Sequence, residues 1–594
     1  MAFDSSARPN VNALWAGLLV EELVRQGVGL FVVCPGSRSA PLAVAVARAA
    51  AEGRTDWLVH PDERAAAFVA LGWARSSGLP AAVVTTSGTA VANLLPAVVE
   101  ADAAGVPMLL LTADRPPELR ETGANQTIRQ PGIFGSFTRW AFDAPVPSAD
   151  LDPAVILTTA AHAFARTLAP AGPVHLNLPF REPLGAEPDG TDAAAITTPI
   201  SRWTETKRRY TWDGSDIGGW ILLAGLEKRL AEVTRGVVVL GATDQSDHAV
   251  MASRLATRLG WPLLPDVTSQ ARLGAADGAV PCYDLALASL SFAEAHQPDA
   301  VVLVGSRPVS KRLLALIDIA RPDPYLVVRS GPERFDPSHI VTDRIGADPS
   351  VFLDHLVWAL PEAPPPSAWL QSWQSASDAA GAAASEQIGR DLSEPFVART
   401  VARLAPNLVL AASMPIRDVD AFAASDGGAA FVTANRGASG IDGTVATAHG
   451  VARGLGEPVV LLIGDLALLH DQTSLMLLRD GPNAGPPVVV VVVNNDGGGI
   501  FHFLPVSRGA HPVDAATFEA AFGAPHGLTF AHAAAGVGLA YHAPETADAF
   551  EATLAEAIAS GQSAVIEVRT DRAANEALHA RITRAAAAAV DALG

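Results

Sequence analysis

Lysine is nearly missing from this 594-residue chain, which has only Lys207, Lys228 and Lys311. Anion binding therefore falls to arginine, whose planar fork suits carboxylates. The 42 basic residues are outnumbered by 62 acidic ones, for a net charge of −20. That sign argues against nucleic acid or an anionic membrane surface as a partner, and any positive potential must be local. Cysteine is scarce as well. Cys34 and Cys282 lie far apart, with no CxxC and no Cys/His cluster, which leaves no framework for structural zinc or a disulfide network and fits a reducing cytoplasm. The opening "MAFDSSARPN" lacks the apolar core of a secretion signal. The charge-free stretch from Ser76 to Val99 is broken by Pro80, Asn93, Pro96 and "TTSGT", so no membrane span is expected. There is no G-x-G-x-x-G and no G-x-x-x-x-G-K-[ST], which weakens nucleotide binding. Low-complexity tracts and short repeats are also missing.

What is present is apolar: at 49% hydrophobic, the chain can bury several cores, and its length at about 150 residues per domain suggests three or four domains. Strand-like runs alternate with helical stretches throughout, the pattern of α/β units on mostly parallel sheets. Three blocks are expected, at 1–185, 203–360 and 393–594. In the first, "VGLFVVCPGSRSAPL", "AAVVTTSGTAVAN" and "PMLLLTADRPPEL" each pass from strand through a polar or Gly-rich turn into a helix. Ligands collect where parallel strands end and helices begin. The middle block repeats the pattern in "GVVVLGATD" and "DAVVLVGSRPVSKRL", with fewer ionisable turn residues. Residues 185–201, rich in Pro, Gly, Asp and Thr, and the proline run of 361–369 read as connections.

In the third block six valines, Val488–Val493, run into Asn494, Asn495, Asp496 and three glycines. A run apolar on both faces is expected as a buried central strand of a parallel sheet. Another apolar run, "VVLLIGD", ends in Gly464 and Asp465, thirty residues before Asn495. Two adjacent strands would then each deliver an oxygen to one point. The Asp465 carboxylate, the Asn495 amide oxygen and a backbone carbonyl at Gly497 make half an octahedron for magnesium, leaving positions for phosphate oxygens and water. The glycines let the backbone approach a bulky anion closely. Each half alone is ordinary turn chemistry, whereas the ordered pair is far more specific.

The ordered pair resembles the thiamin diphosphate-binding motif, a Gly-Asp start followed by an Asn-Asn end. That resemblance demands a glutamate in another domain, and "HPDERAAAFVALGWAR" supplies Glu63 ahead of an alanine-rich helix. Taken singly, a first-turn glutamate is simply favoured by the helix dipole. In the family it hydrogen-bonds a pyrimidine nitrogen of the cofactor and promotes the tautomer that removes the thiazolium proton. Burial suits that role, because desolvation raises a carboxyl pKa toward the working range.

Longer phrases narrow the resemblance. "CPGSRSAPL", "DERAAAF", "TTSGTAVANLLPAVVEA", "LTADRPPEL", "GANQTIRQPGIFG", "WPLLPDVTSQ", "NRGASGIDGTVATA" and "NNDGGGIF" together resemble the 2-succinyl-5-enolpyruvyl-6-hydroxy-3-cyclohexene-1-carboxylate synthase family of menaquinone biosynthesis. The resemblance covers all three blocks in order. It implies an α/β fold of three doubly wound parallel-sheet domains: pyrimidine-binding, central and diphosphate-binding. It implies thiamin diphosphate with Mg2+, or Mn2+, as cofactors. The implied reaction decarboxylates 2-oxoglutarate and adds the resulting succinyl carbanion to isochorismate. The implied assembly is a cytoplasmic homodimer or homotetramer with active sites at subunit interfaces.

Residue roles follow from the same resemblance. Ser87 and Gly88 approach the pyrimidine end of the cofactor, Ile441 props its bent form, and Gly464, Asp465, Asn495, Gly497 and Ile500 surround the diphosphate and metal. Ser37, Arg38, Arg115, Gln126 and Lys311 would hold isochorismate. Ser413, Arg417 and Arg436 would grip carboxylates near the thiazolium, and Phe501 would wall the site. Both substrates carry two carboxylates, and leaving a buried one unpaired costs roughly several kcal/mol, so a chain of net charge −20 has to gather cations in its cleft. His60, His470 and His502 lie beside these motifs and are expected to be solvated turn residues. An adjacent His-His pair, looked for in the first block of pyruvate decarboxylase-like enzymes, is missing. Around Gly105, "ADAAGVPM" is built of small residues where some relatives carry an arginine linked to feedback by a pathway product, so regulation of that kind is not carried over. Two alternatives stay open: another thiamin-dependent 2-oxo acid carboligase or decarboxylase, and a nucleotide-binding or non-catalytic scaffold.

Overall fold

The computed structural model describes residues 3–211 and 225–594, apart from positions 275, 332, 364, 366, 426, 482 and 510. Parts of the expected central block and of the 361–369 connection lie outside the described residues. The chain forms two compact units, one from the described residues of 1–218, 436–456 and 471–486, the other from the remainder.

The first unit is built on a six-stranded parallel sheet. Its strands are β1 (Leu30–Val33), β2 (Asp56–Val59), β3 (Ala81–Thr85), β4 (Met108–Asp114), β5 (Trp140–Asp143) and β6 (Pro173–Pro179), in the order β2-β1-β3-β4-β6-β5. β3, β4 and β6 are buried along their whole length, as apolar runs covered on both faces require. On one face pack the helices Val11–Gln26, Ala40–Ala51 and Ala154–Leu168. Residues 185–201, expected as a mere connection, include a helical turn at Ala193–Thr197, and Ala193, Ile200 and Trp203 are drawn into that core. The helix Glu63–Ser77 is started by Asp62, whose side chain accepts the Ala65 N–H, and is stopped by Gly78 at φ 71. Against it lies Thr444–Leu455, contributed from far along the sequence. The two helices touch backbone to backbone. A Cβ on Gly72 would stand 2.1 Å from the Thr447 carbonyl oxygen, and one on Gly450 would stand 2.1 Å from the Val69 oxygen.

The second unit carries two parallel sheets. The five-stranded one contains β7 (Gly236–Leu240), β8 (Leu263–Pro265), β9 (Ala300–Val304), β10 (Tyr325–Arg329) and β11 (Asp343–Gly346), in the order β11-β10-β9-β7-β8. The other contains β12 (Asn407–Leu410), β13 (Phe431–Ala434), β14 (Val459–Gly464), β15 (Val488–Asn494), β16 (Ala540–His542) and β17 (Ala564–Arg569), in the order β13-β12-β14-β15-β17-β16. One continuous core joins these two sheets, with Trp373 of the helix Ala368–Ile388 and Ile582 of the helix Arg572–Asp591 within it. The valine run is the buried central strand β15, between β14 and β17. Burying each valine contributes about 1.5 kcal/mol or more.

The first and third sheets share one strand order, position for position. In both, the order reverses between the first and third strands, and the crevice at such a switch point is where parallel α/β sheets bind ligands. The switch turns of the first sheet hold Ser37, Arg38, Ser87 and Gly88. Those of the third hold Ser413 and Asp465, with Arg417 in the first turn of the helix after Ser413 and Asn495 just past the end of the next strand inward. Among the described residues no helix is long and apolar enough to cross a membrane.

Candidate active site

Within the first unit, three expected residues form one hydrogen-bonded knot, with Gly88 next to it in sequence. The Gln126 Nε2 donates to the Ser87 carbonyl at 2.9 Å, and the Ser87 hydroxyl donates to the Gln126 carbonyl at 3.1 Å. Arg115 donates to the Ser87 hydroxyl and, at 3.2 Å, to the Gln126 carbonyl. Gly88 needs its glycine: φ is +86, and a Cβ there would lie 2.9 Å from Gln126 Cγ. Beneath sits a residue that sequence reasoning missed. The fully buried Gln130 accepts the Gly88 N–H and donates to the Ala113 carbonyl and to Asn177. It stands four residues after Gln126, but an internal glutamine in a loop carries no signal of burial.

Arg38 is buried, donates to the Phe180 carbonyl at 3.0 Å and meets the exposed Glu182 at 3.2 Å. Burial lowers the Arg115 pKa, and the positive charge of Arg38 adds to that effect. Two guanidiniums close enough to oppose each other make a place for an anion. Ser37 is exposed at the same turn.

Glu63 opens its helix half-buried, and Asn93 Nδ2 donates to its Oε2 at 3.3 Å. The sealed carboxyl expected from the sequence is thus only partly sealed within one chain. His60, expected in solvent, is buried, with Nδ1 receiving the Asp62 N–H at 3.1 Å; burial lowers its pKa. Arg436 is half-buried and Ile441 is 38% exposed on a loop held by Glu100, which accepts the N–H groups of Gly437 and Ala438. The loop ends on the Glu63 helix, where a Cβ on Gly443 would lie 2.0 Å from the Phe68 ring.

In the second unit, β14 and β15 pair in parallel with Gly464 beside Val493, so Asp465 and Asn495 leave the ends of adjacent strands. Gly464 is the last residue of β14, and Asp465 opens the helix Asp465–His470. The buried Asp465 accepts the Gly497 N–H at 2.9 Å through Oδ2 and the Leu466 N–H at 2.6 Å through Oδ1. Burial raises its pKa, and these backbone donors work against the rise. His526, which the sequence did not signal, places Nε2 3.3 Å from the same Oδ2, out of line for a hydrogen bond.

The two asparagines differ. Asn494 is closed: its amide donates to Glu567 at 2.7 Å and its Oδ1 accepts the Asp496 N–H at 3.1 Å. Asn495 donates to Glu394 at 2.9 Å, and its buried Oδ1 has no partner. The Gly497 carbonyl accepts the Gly499 N–H at 2.9 Å and retains one lone pair. Gly497 and Gly498 are required for a reason beyond anion approach. Cβ atoms on them would lie 1.9 Å from the Gly523 oxygen and 2.2 Å from the Phe522 oxygen, so the loop is packed on a neighbouring backbone.

An orphaned buried amide oxygen and a buried carboxylate at adjacent strand ends fit a hard divalent cation with oxygen ligands. Among the described residues no group of three or more His, Cys, Asp or Glu is arranged to hold a metal, so a cation here must rely on amide and main-chain oxygens.

The same unit contains a cavity of about 610 Å3, lined by Lys311, Arg417 and Ile500 of the expected set and also by Arg312, Arg508, Asp418 and His579. That volume suits a small organic ligand. Ser413, at φ 75 and ψ −129, precedes the helix Met414–Phe422, and its carbonyl accepts a hydrogen bond from Arg417. A non-glycine residue held there stores about 1–3 kcal/mol of strain, the kind of cost that collects at functional sites. Phe501 packs on Phe522 with centroids 5.5 Å apart and is not among the residues lining the cavity.

Comparison with known proteins agrees with the three-sheet α/β fold. Residues 15–133 match the thiamine pyrophosphate enzyme N-terminal TPP binding domain, 195–409 the middle domain of thiamine pyrophosphate, and 420–568 the C-terminal TPP binding domain. Three parallel sheets and three matched domains define a thiamine pyrophosphate enzyme. The chain is 52% identical, over 98% of its length and 99% of the relative's, to a 2-succinyl-5-enolpyruvyl-6-hydroxy-3-cyclohexene-1-carboxylate synthase of Rubrobacter xylanophilus. Proteins of the same name from Salinibacter ruber and Chlorobium phaeobacteroides are 49% and 39% identical, over 98% and 97% of both chains. The chain belongs to the 2-succinyl-5-enolpyruvyl-6-hydroxy-3-cyclohexene-1-carboxylate synthase family.

Proposed function

We propose that this chain is a thiamin diphosphate-dependent transferase that decarboxylates 2-oxoglutarate and adds the succinyl unit to isochorismate, giving 2-succinyl-5-enolpyruvyl-6-hydroxy-3-cyclohexene-1-carboxylate for menaquinone biosynthesis. The observation that carries the assignment is end-to-end identity of 52% with a relative of that name. When bound, the cofactor supplies the electron sink that lets carbon dioxide leave and a new carbon–carbon bond form.

The chain's residues bind, orient and move protons around it. The Asp465 carboxylate, Asn495 Oδ1 and the Gly497 carbonyl hold Mg2+, with Mn2+ as an alternative; the orphaned Oδ1 supports this. Gly464 and Ile500 flank the diphosphate. With the cofactor bound, Glu63 would exchange a proton with its pyrimidine, Ser87 and Gly88 would border that ring, and Ile441 would support it from below. Ser37, Arg38, Arg115, Gln126 and Lys311 hold isochorismate, and the like positive charges of Arg38 and Arg115, which repel each other, support an anion between them. Ser413, Arg417 and Arg436 take the carboxylates of 2-oxoglutarate, and Phe501 closes the wall.

The three domains are assigned as pyrimidine-binding (1–185), central (203–360) and diphosphate-binding (393–594). The assembly is taken as a cytoplasmic homodimer or homotetramer with active sites at subunit interfaces. The half-exposure of Glu63 and Ile441 supports this, because both roles need a dry wall that a single chain does not complete. Carbon dioxide release from 2-oxoglutarate against pyruvate, with isochorismate present, tests the substrate choice. Preference for pyruvate would put the chain with other thiamin-dependent carboligases.

A further inference from the structure

We infer that Glu394 is a positioning residue for Asn495: it decides which end of the amide faces the Asp465 oxygens. Glu394 opens the helix Glu394–Leu404, yet its side chain is turned into the protein and is 3% exposed. A glutamate serving only the helix dipole belongs at the surface of the first turn. Its Oε1 accepts two donors, Asn495 Nδ2 and the Thr570 hydroxyl, each at 2.9 Å. The NH2 end of an amide donates and cannot accept, so an acceptor at that place holds it and turns the carbonyl end away. The end turned away is Oδ1, the buried atom left without a partner.

The neighbouring asparagine shows the contrast. Asn494 is also held by a buried glutamate, Glu567, but its oxygen is used within the turn by Asp496. Of two consecutive amides each held by a buried glutamate, one is closed and the other open. Glu394 therefore sets a ligand atom and does more than pack the strand end.

The inference rests on the metal reading of Asp465 and Asn495. It is tested on the full-length protein with thiamin diphosphate, by titrating Mn2+ and following the free ion by electron paramagnetic resonance. Glu394→Gln offers Asn495 either an oxygen or an NH2, so the amide is no longer locked. The Mn2+ dissociation constant is expected to rise roughly tenfold to a hundredfold, the usual effect of removing an orienting partner. In the double variant Glu394→Gln with Asn495→Asp, the NH2 of Gln faces a carboxylate oxygen and leaves the other oxygen for the ion. It is expected to recover most of the loss. Additive losses, with the double no better than Glu394→Gln, would overturn the inference, as would wild-type affinity in Glu394→Gln. If Glu394→Gln fails to fold, the double variant decides: it folds and binds Mn2+ if donor–acceptor complementarity is what matters, and fails too if it is not. A wild-type protein that binds no Mn2+ would instead remove the metal reading on which the inference stands.

Discussion

Gly450→Ala tests the contact that joins the Glu63 helix to the helix Thr444–Leu455, and two effects of opposite sign compete there. In an unhindered helix interior, replacing glycine by alanine stabilises by about 1 kcal/mol. Here the added Cβ would stand 2.1 Å from the Val69 carbonyl oxygen and 2.9 Å from the Trp73 nitrogen. Both obstacles are backbone, so no rotamer change relieves them and the helices must part. Overpacking costs about 1–3 kcal/mol, and a backbone clash belongs at the upper end, which leaves a net loss of about 2 kcal/mol. For a unit of this size the expected fall in melting temperature is on the order of 4 °C by scanning calorimetry. Gly536→Ala is the control. It lies in the exposed helix Ala531–Val537 with nothing within 4 Å of its added Cβ, so it is expected to hold or raise the melting temperature. A Gly450→Ala protein that melts higher than wild type would refute the close crossing and, with it, the placement of the Glu63 helix against residues from the C-terminal third.

Glu63→Gln is expected to preserve cofactor binding and to lower turnover about 10²–10⁴-fold, because only proton transfer is lost; near-normal turnover would remove Glu63 from its role. Asp465→Ala is expected to weaken magnesium and thiamin diphosphate binding together by about a hundredfold or more in calorimetry, since a ligand should cost at least what an orienting partner does. His449 is buried with no partner for Nε2, and burial, joined by the charge of Arg453, lowers its pKa to about 3. Folded, it stays neutral; unfolded, it takes up a proton below about pH 6.5. Its stabilising contribution is therefore complete above pH 6.5 and is lost as pH falls toward 3, at about 1.4 kcal/mol per pH unit. His449→Leu should make the pH dependence of unfolding between pH 6.5 and 4.5 shallower by one proton, and unchanged slopes would contradict the neutral assignment.

The strands and their turns were legible because parallel sheets write long apolar runs ending in polar turns, as β15 and "VVLLIGD" do. Asp465, Asn495, Ser87 and Arg115 could be read for the same reason: they sit where such runs stop. The residues behind them could not. Gln130, Glu394 and His526 reach the site through tertiary contacts spanning 42, 101 and more than 60 positions, and nothing local marks them as buried. Glu394 even looks like a routine first-turn acid after the capping Ser393. The sequence singled out Asn495 over Asn494, and the structure separates them physically: Asn494 also binds the Asp496 N–H and the Leu528 carbonyl, and Asn495 does neither. Residues 185–201 read as a linker from composition, although three apolar side chains just within or beyond that stretch are recruited to the core. Tertiary packing overrode local composition there.

The most direct test is product identity. The protein is incubated with Mg2+, thiamin diphosphate, 2-oxoglutarate and isochorismate, and the product is identified by mass spectrometry. The expected result is 2-succinyl-5-enolpyruvyl-6-hydroxy-3-cyclohexene-1-carboxylate, formed only when both substrates and thiamin diphosphate are present. Isochorismate recovered unchanged, while the same preparation joins pyruvate units, would contradict the account.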